Sequence, residues 1–160
     1  MRKLKLYLET STWNFYFADD APEKQAVTRE FFELVFKGIY EVYISEVVLE
    51  EINKAPQEKK TRLKSLIERS APLSLETTKE AGQLAKAYMD RGIIPVKKKE
   101  DALHIGIATV WEIDALITWN YRHLANVRKS ELVQVVNLEF RYTKVLQIIT
   151  PMEVSSYEDR

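Results

Sequence analysis

Four polar residues far apart in the chain could share one piece of chemistry: Glu9, Glu51, Asp101 and Asn120. Glu9 follows an apolar run, and Glu51 lies near the end of a helix that follows a second such run. Asp101 opens a helix, and Asn120 closes the polar stop Thr118-Trp119-Asn120 after Ala115-Leu116-Ile117. In an open parallel sheet, polar groups at strand carboxyl ends face the crevice where ligands bind. Three carboxylates gathered there as bare anions repel one another. A hard divalent cation removes that conflict. Mg²⁺ takes oxygen ligands, uses few carboxylates and keeps several waters, and Mn²⁺ suits the same donors. Such a centre performs phosphoryl chemistry by acidifying a bound water and clamping the departing oxygen. The expected metal shell is Glu9, Glu51 and Asp101, with Asn120 orienting a water. No side chain stands out as a nucleophile.

Each of these residues also has a plainer reading. Glu9 suits an exposed strand-end acid. Asp101 suits a helix start, where the dipole favours a carboxylate. Glu51 sits near two other acids, Glu46 and Glu50. Asn120 suits the cap of a short helix from Tyr121, a role compatible with orienting a water. Thr10 and Ser11 fit contacts to a phosphate or to a metal's water, and equally fit a turn. His104, three residues after Asp101, reads as a packed histidine ahead of a general acid. Lys97, Lys98 and Lys99, with Arg122 and His123, suit either an RNA backbone or solvent. Trp13, Tyr16 and Trp119 could stack bases, but a core or lid role is expected.

The elements that position these residues follow from periodicity. Residues 4–8 predict a first strand, with Leu4, Leu6 and Leu8 on one face and Tyr7 covered on the other. Asp20-Ala-Pro-Glu23 predicts a helix start. Val27, Phe31, Leu34 and Val35 continue that helix, and Gly38 stops it. Val42-Tyr-Ile44 predicts a second strand, with Ser45 as N-cap of a helix that buries Val48, Leu49 and Ile52. Residues 57–69 predict a polar helix with a stripe of Leu63, Leu66 and Ile67, and residues 71–75 a further strand. Thr77-Thr-Lys-Glu80 fits a capping box, ahead of a stripe of Ala81, Leu84, Ala85 and Tyr88 that ends at Gly92. Ala102, Ile105, Ala108 and Val110, broadened by Leu103 and Ile107, predict a helix after the lysines. Ala115-Leu116-Ile117 predicts a doubly buried strand. Leu132, Val135, Val136 and Glu139 stand at helix spacing, although Val133 and Val135 also suit a strand. Gln147-Ile-Ile-Thr150, ended by Pro151, predicts the last strand. Strands alternating with helices imply a three-layer α/β/α domain with a mainly parallel sheet.

Bulk composition narrows the field. The 160 residues fit a single domain spanning 1–160, and 46% hydrophobic with 30% charged residues is a globular balance. The absence of cysteine rules out a disulfide framework and a thiolate metal site. The run before Glu9 carries basic residues and has no apolar h-region, so no signal peptide is expected. No run approaches the roughly 20 apolar residues of a membrane span. A cytoplasmic protein without membrane contact is the expectation. Formal net charge is zero, so nucleic-acid contact would need a local patch.

Together these segments resemble the PIN domain family of small nucleases, which includes the VapC-type toxins. The resemblance covers nearly the whole chain. It is carried by Leu6-Tyr-Leu-Glu-Thr-Ser-Thr-Trp-Asn14, Ile44-Ser-Glu-Val-Val-Leu-Glu-Glu-Ile52, Asp101-Ala-Leu-His-Ile105 and Leu116-Ile-Thr-Trp-Asn-Tyr-Arg-His-Leu-Ala-Asn126. Ile149-Thr-Pro-Met-Glu153 is similar to the family's last strand. Carried over, Glu51 and Asp101 match family acids, while Glu9 and Asn120 occupy the positions of two others. The resemblance implies metal-dependent endoribonuclease activity on RNA phosphodiesters. It also implies a place as the toxin of a toxin–antitoxin pair, an antitoxin protein partner, and a homodimer served by apolar surface within residues 15–36.

Two positions depart from the family pattern. The first acid is usually Asp. Glu9 adds a methylene that can move the carboxylate by about 1.5 Å, and misplacement of about 1 Å can cost roughly 100-fold in rate. The fourth is often Asp, and Asn120 is a neutral oxygen donor that can still orient a water. The alternative is therefore a PIN scaffold that binds RNA or a protein partner without cleavage. A phosphoacceptor signalling domain ranks third, since it needs paired acids after the first strand and a phosphoacceptor Asp after a central one.

Overall fold

Leu6, Tyr7 and Leu8 are fully buried, as a strand covered on both faces must be. They form β1 (Lys5–Leu8), the centre of a five-stranded parallel sheet. The computed structural model describes residues 2–158. The other strands are β2 (Glu41–Ser45), β3 (Leu73–Leu75), β4 (Ala115–Ile117) and β5 (Gln147–Ile149). Their spatial order is β3-β2-β1-β4-β5, every pairing parallel. The chain builds outward from β1 through β2 to β3, then crosses to the other side of β1 for β4 and β5. Strand order therefore reverses between β1 and β4, where such sheets open a crevice at their carboxyl ends.

The helices are α1 (Thr10–Phe15), α2 (Pro22–Phe36), α3 (Glu46–Asn53), α4 (Gln57–Ser70), α5 (Lys79–Asp90), α6 (Lys99–Val110), α7 (Val127–Glu139) and α8 (Pro151–Glu158). With the sheet they make the expected three-layer α/β/α arrangement. α6 is buried almost all round: Ala102, Ile105, Gly106, Ile107 and Ala108 are inaccessible, with Leu103 and Val110 half-buried. Gly106 is where α6 meets α5. A methyl group there would stand 2.5 Å from the Ala81 carbonyl oxygen. This helix also buries Asp101 and His104, and buried ionisable groups need partners.

Several local expectations shift. β1 and β3 begin later than predicted, and Ala71 instead caps α4 in a left-handed conformation, φ 48°. The cap of α5 is Thr78 rather than Thr77, its hydroxyl accepting from the Ala81 amide at 3.1 Å. α2 starts at Pro22 behind Ala21, without a side-chain cap from Asp20. Ser45 holds the N-cap position of α3 but makes no cap bond. Leu49 is 38% exposed and Val47 takes its place inside. Residues 127–139 are helix, not strand, and the face turned inward is Val133, Val136 and Asn137. Leu132 and Val135 stay 43% and 53% exposed, because a 3.6-residue period cannot bury them together with Val133. Residues 121–124 form a turn instead of the short helix expected from Tyr121. Within residues 15–36, Phe31 and Phe32 are core residues, which leaves Phe15, Tyr16, Phe17 and Phe36 as half-buried aromatics.

Candidate metal centre

The site is assembled at the reversal of strand order. Leu8 pairs with Ile117, and the next amide, that of Glu9, donates to the Ile117 carbonyl at 3.0 Å. Glu9 and Thr118 thus leave the sheet side by side. Glu9 is the N-cap of α1, its Oε1 accepting from the Ser11 amide at 3.1 Å. The same oxygen accepts from the Ser11 hydroxyl at 2.5 Å and the Thr118 hydroxyl at 2.7 Å. The Trp119 amide donates to Ser11 Oγ at 2.9 Å, and the Asn120 amide to Thr118 Oγ1 at 3.0 Å. Trp119 Nε1 donates to Thr28 Oγ1 at 2.8 Å, tying this loop to α2. Trp119 and Trp13 are both buried, the core role expected of them.

Asn120 reaches Asp101. Its Nδ2 donates to Asp101 Oδ2 at 3.3 Å, while its Oδ1 accepts from the His123 amide at 3.0 Å. The amide oxygen is therefore used in the turn, and the nitrogen faces the carboxylate. Burial first, and then the charge of Glu9, push the Asp101 carboxyl up to about 6. His104 and Lys98 oppose that rise, and Glu51 adds to it. Asp101 therefore stands in the field of both other acids.

Glu51 comes from α3. Its Oε1 accepts from the Thr10 hydroxyl at 2.7 Å and lies 2.7 Å from His104 Nε2. Burial works against the Glu51 charge, but the His104 bond and charge, the Thr10 bond and Lys54 hold its carboxyl below the usual range. An ionised carboxylate only accepts, so Nε2 is the donating nitrogen of His104. Nδ1 of the same ring lies 2.6 Å from the Tyr7 hydroxyl, which lies 2.7 Å from Ser45 Oγ. Burial opposes the imidazolium, yet the Glu51 bond and the charges of Glu9, Glu51 and Asp101 outweigh it, so the His104 pKa is raised.

Glu9, Asp101 and Asn120 are brought together, and Glu51 stands beside them, bonded to Thr10 and His104. Thr10 and Ser11, which fit a turn as well as contacts to a phosphate or to a metal's water, bond to Glu51 and Glu9. Lys97, Lys98 and Arg122 are exposed. His123 is pushed below its ordinary pKa by burial, then by Lys129, Arg122, Lys98 and Lys97. These cations therefore lie around one ring, and Lys98 also acts on Asp101. Lys99 is exposed at the start of α6. Sequence reasoning missed the partners of the acids: Thr118, Tyr7, Ser45 and the bond from His104 to Glu51. One signal was available, since a tyrosine in a doubly covered strand must find a partner for its hydroxyl.

Among the described residues, no group of three or more His, Cys, Asp or Glu side chains stands close enough together to hold a metal ion. The donor chemistry still fits a hard cation held largely through water. Mg²⁺ needs only one or two protein carboxylates, and Asp101 stands in the field of two others.

The fold is PIN-like: a parallel five-stranded sheet between helical layers. The chain is similar to VapBC2 from Rickettsia felis, whose crystal structure is described as bound to a DNA fragment from their promoter. The match has a TM-score of 0.59 at 16% sequence identity and covers 92% of this chain and 98% of that one. No family model matches the sequence, and neither does any curated protein. No helix among the described residues is long and apolar enough to cross a membrane.

Proposed function

We propose that this chain is a Mg²⁺- or Mn²⁺-dependent endoribonuclease that hydrolyses RNA phosphodiester bonds with water as nucleophile. The carrying observation is Asp101: buried at the crevice, bonded to Asn120, and held up to about 6 by burial and Glu9. A bound cation would acidify a water and offset charge on the departing oxygen. Asp101 and Glu51 would hold that cation largely through water, with the charge of Glu9 beside them, and Asn120 fixes the Asp101 carboxylate. Lys97, Lys98, Lys99 and Arg122 supply positive charge for the RNA backbone. The likeness to VapBC2 supports a toxin role with an antitoxin protein as partner, and a homodimer accompanies that reading.

The test is an assay of metal-stripped protein on single-stranded and structured RNA, with and without Mn²⁺. Products that require Mn²⁺ and vanish in Asp101→Asn are expected. Full activity in chelator, or in Asp101→Asn, overturns the mechanism. A second reading, an RNA- or partner-binding scaffold that does not cut, is favoured by the three inward hydrogen bonds on Glu9 Oε1. It predicts metal-independent binding and no products at any Mn²⁺ concentration.

A further inference from the structure

The buried side chains behind the acids form a continuous hydrogen-bonded array. His104 is fully buried, yet both its nitrogens are engaged, Nδ1 with Tyr7 and Nε2 with Glu51. Tyr7 in turn meets Ser45. The array runs from the β2 end, across β1 and through α6 to the tip of Glu51 on α3. Its groups belong to four separate elements, so it cannot form until the sheet and both helices have packed. We propose that His104 is a positioning residue for metal binding: backed by Tyr7 and Ser45, it fixes the Glu51 carboxylate toward the cation held with Asp101.

The geometry supports this in three ways. Glu51 is a long, half-exposed side chain on a surface helix, and without a partner it would sample several rotamers. His104 and Thr10 both bond the same oxygen, Oε1, which leaves Oε2 for another ligand. The imidazole itself cannot rotate, because Tyr7 holds its other nitrogen. Hydrogen-bonded partners of ligating groups typically govern metal affinity by about 10- to 100-fold.

This inference rests on the metal reading above, and the test separates the two. Mn²⁺ affinity of the metal-stripped full chain is measured by titration calorimetry and by the loss of the free-ion paramagnetic resonance signal. Thermal melts run in parallel. His104→Leu should weaken Mn²⁺ binding by about 10- to 100-fold. His104→Gln, whose amide can still donate to Glu51, should recover most of that loss. In a Glu51→Gln background, His104→Leu should cause no further loss, because the two residues act as one unit. If His104→Leu unfolds the chain, Tyr7→Phe gives the same comparison with a smaller change. Wild-type affinity in both His104→Leu and Tyr7→Phe overturns this proposal alone. So does a loss that persists in full in the Glu51→Gln background. A wild-type chain that binds no Mn²⁺ overturns the metal reading and this inference with it.

Discussion

Asp101→Asn should stabilise the metal-free protein while removing its use for a metal. The Asp101 carboxyl is raised from its ordinary 3.8 to about 6. Each unit of pKa difference is worth about 1.4 kcal/mol, so ionised Asp101 costs the folded chain at most about 3 kcal/mol. Between these two values the folded state holds the proton more tightly than the unfolded chain. Stability therefore falls as pH rises through that window, and the cost is complete above about pH 6. Asn keeps the shape, and its carbonyl can still accept from Asn120. Urea denaturation of both proteins in chelator gives the comparison, and taking their difference removes most contributions of His104, Glu51 and Asp114. Near pH 4 the two should be close. Near pH 8 the variant should be the more stable, by up to about 3 kcal/mol. Mn²⁺ at about 1,000 times its Kd should reverse the order, since it stabilises by about 4.1 kcal/mol and only the wild type should gain. A difference that does not change with pH would refute the electrostatic reasoning for this site.

Three further perturbations address other parts of the molecule. Gly106→Ala drives a methyl group into the Ala81 carbonyl and should cost about 1–3 kcal/mol, read as a lower melting temperature. Asp114 lies outside the site, at the amino end of β4. It accepts from Arg2 at 2.7 Å, from Lys144 at 2.8 Å and from the Lys5 amide at 2.7 Å. Burial opposes its charge, but these bonds hold its carboxyl well below the usual range. Asp114→Ala should lower stability by about 1–3 kcal/mol in urea melts, with metal affinity unchanged. Glu9→Asp keeps an N-cap acceptor but shortens the reach by about 1.5 Å, losing the Thr118 bond. Stability should fall by about 0.5–1.5 kcal/mol in urea melts.

Local pattern in the sequence determined the elements. The apolar runs ending at Leu8, Ile44 and Ile117 mark buried strands whatever they pair with, because a doubly covered strand tolerates few polar side chains. Glu9 and Asn120 were visible for the same reason, as polar groups where such runs stop, and Asp101 as an acid opening a helix. α7 was less legible, since Leu132, Val133, Val135 and Val136 satisfy two periods and only packing selects one. The sequence could also name Glu9, Asp101 and Asn120 as candidates, but it could not place them together. Adjacency arose from strand order: β4 lies beside β1, and Ile117 and Glu9, 108 positions apart in the chain, are joined by one backbone bond of 3.0 Å. The partners were decided at the same stage. Whether Ser11 holds a phosphate or Glu9, and whether His104 merely packs or grips Glu51, depends on which groups share a buried space. A hydrogen bond across 53 residues, as between His104 and Glu51, leaves no trace in local spacing, because it is chosen by the packing of α6 against α3.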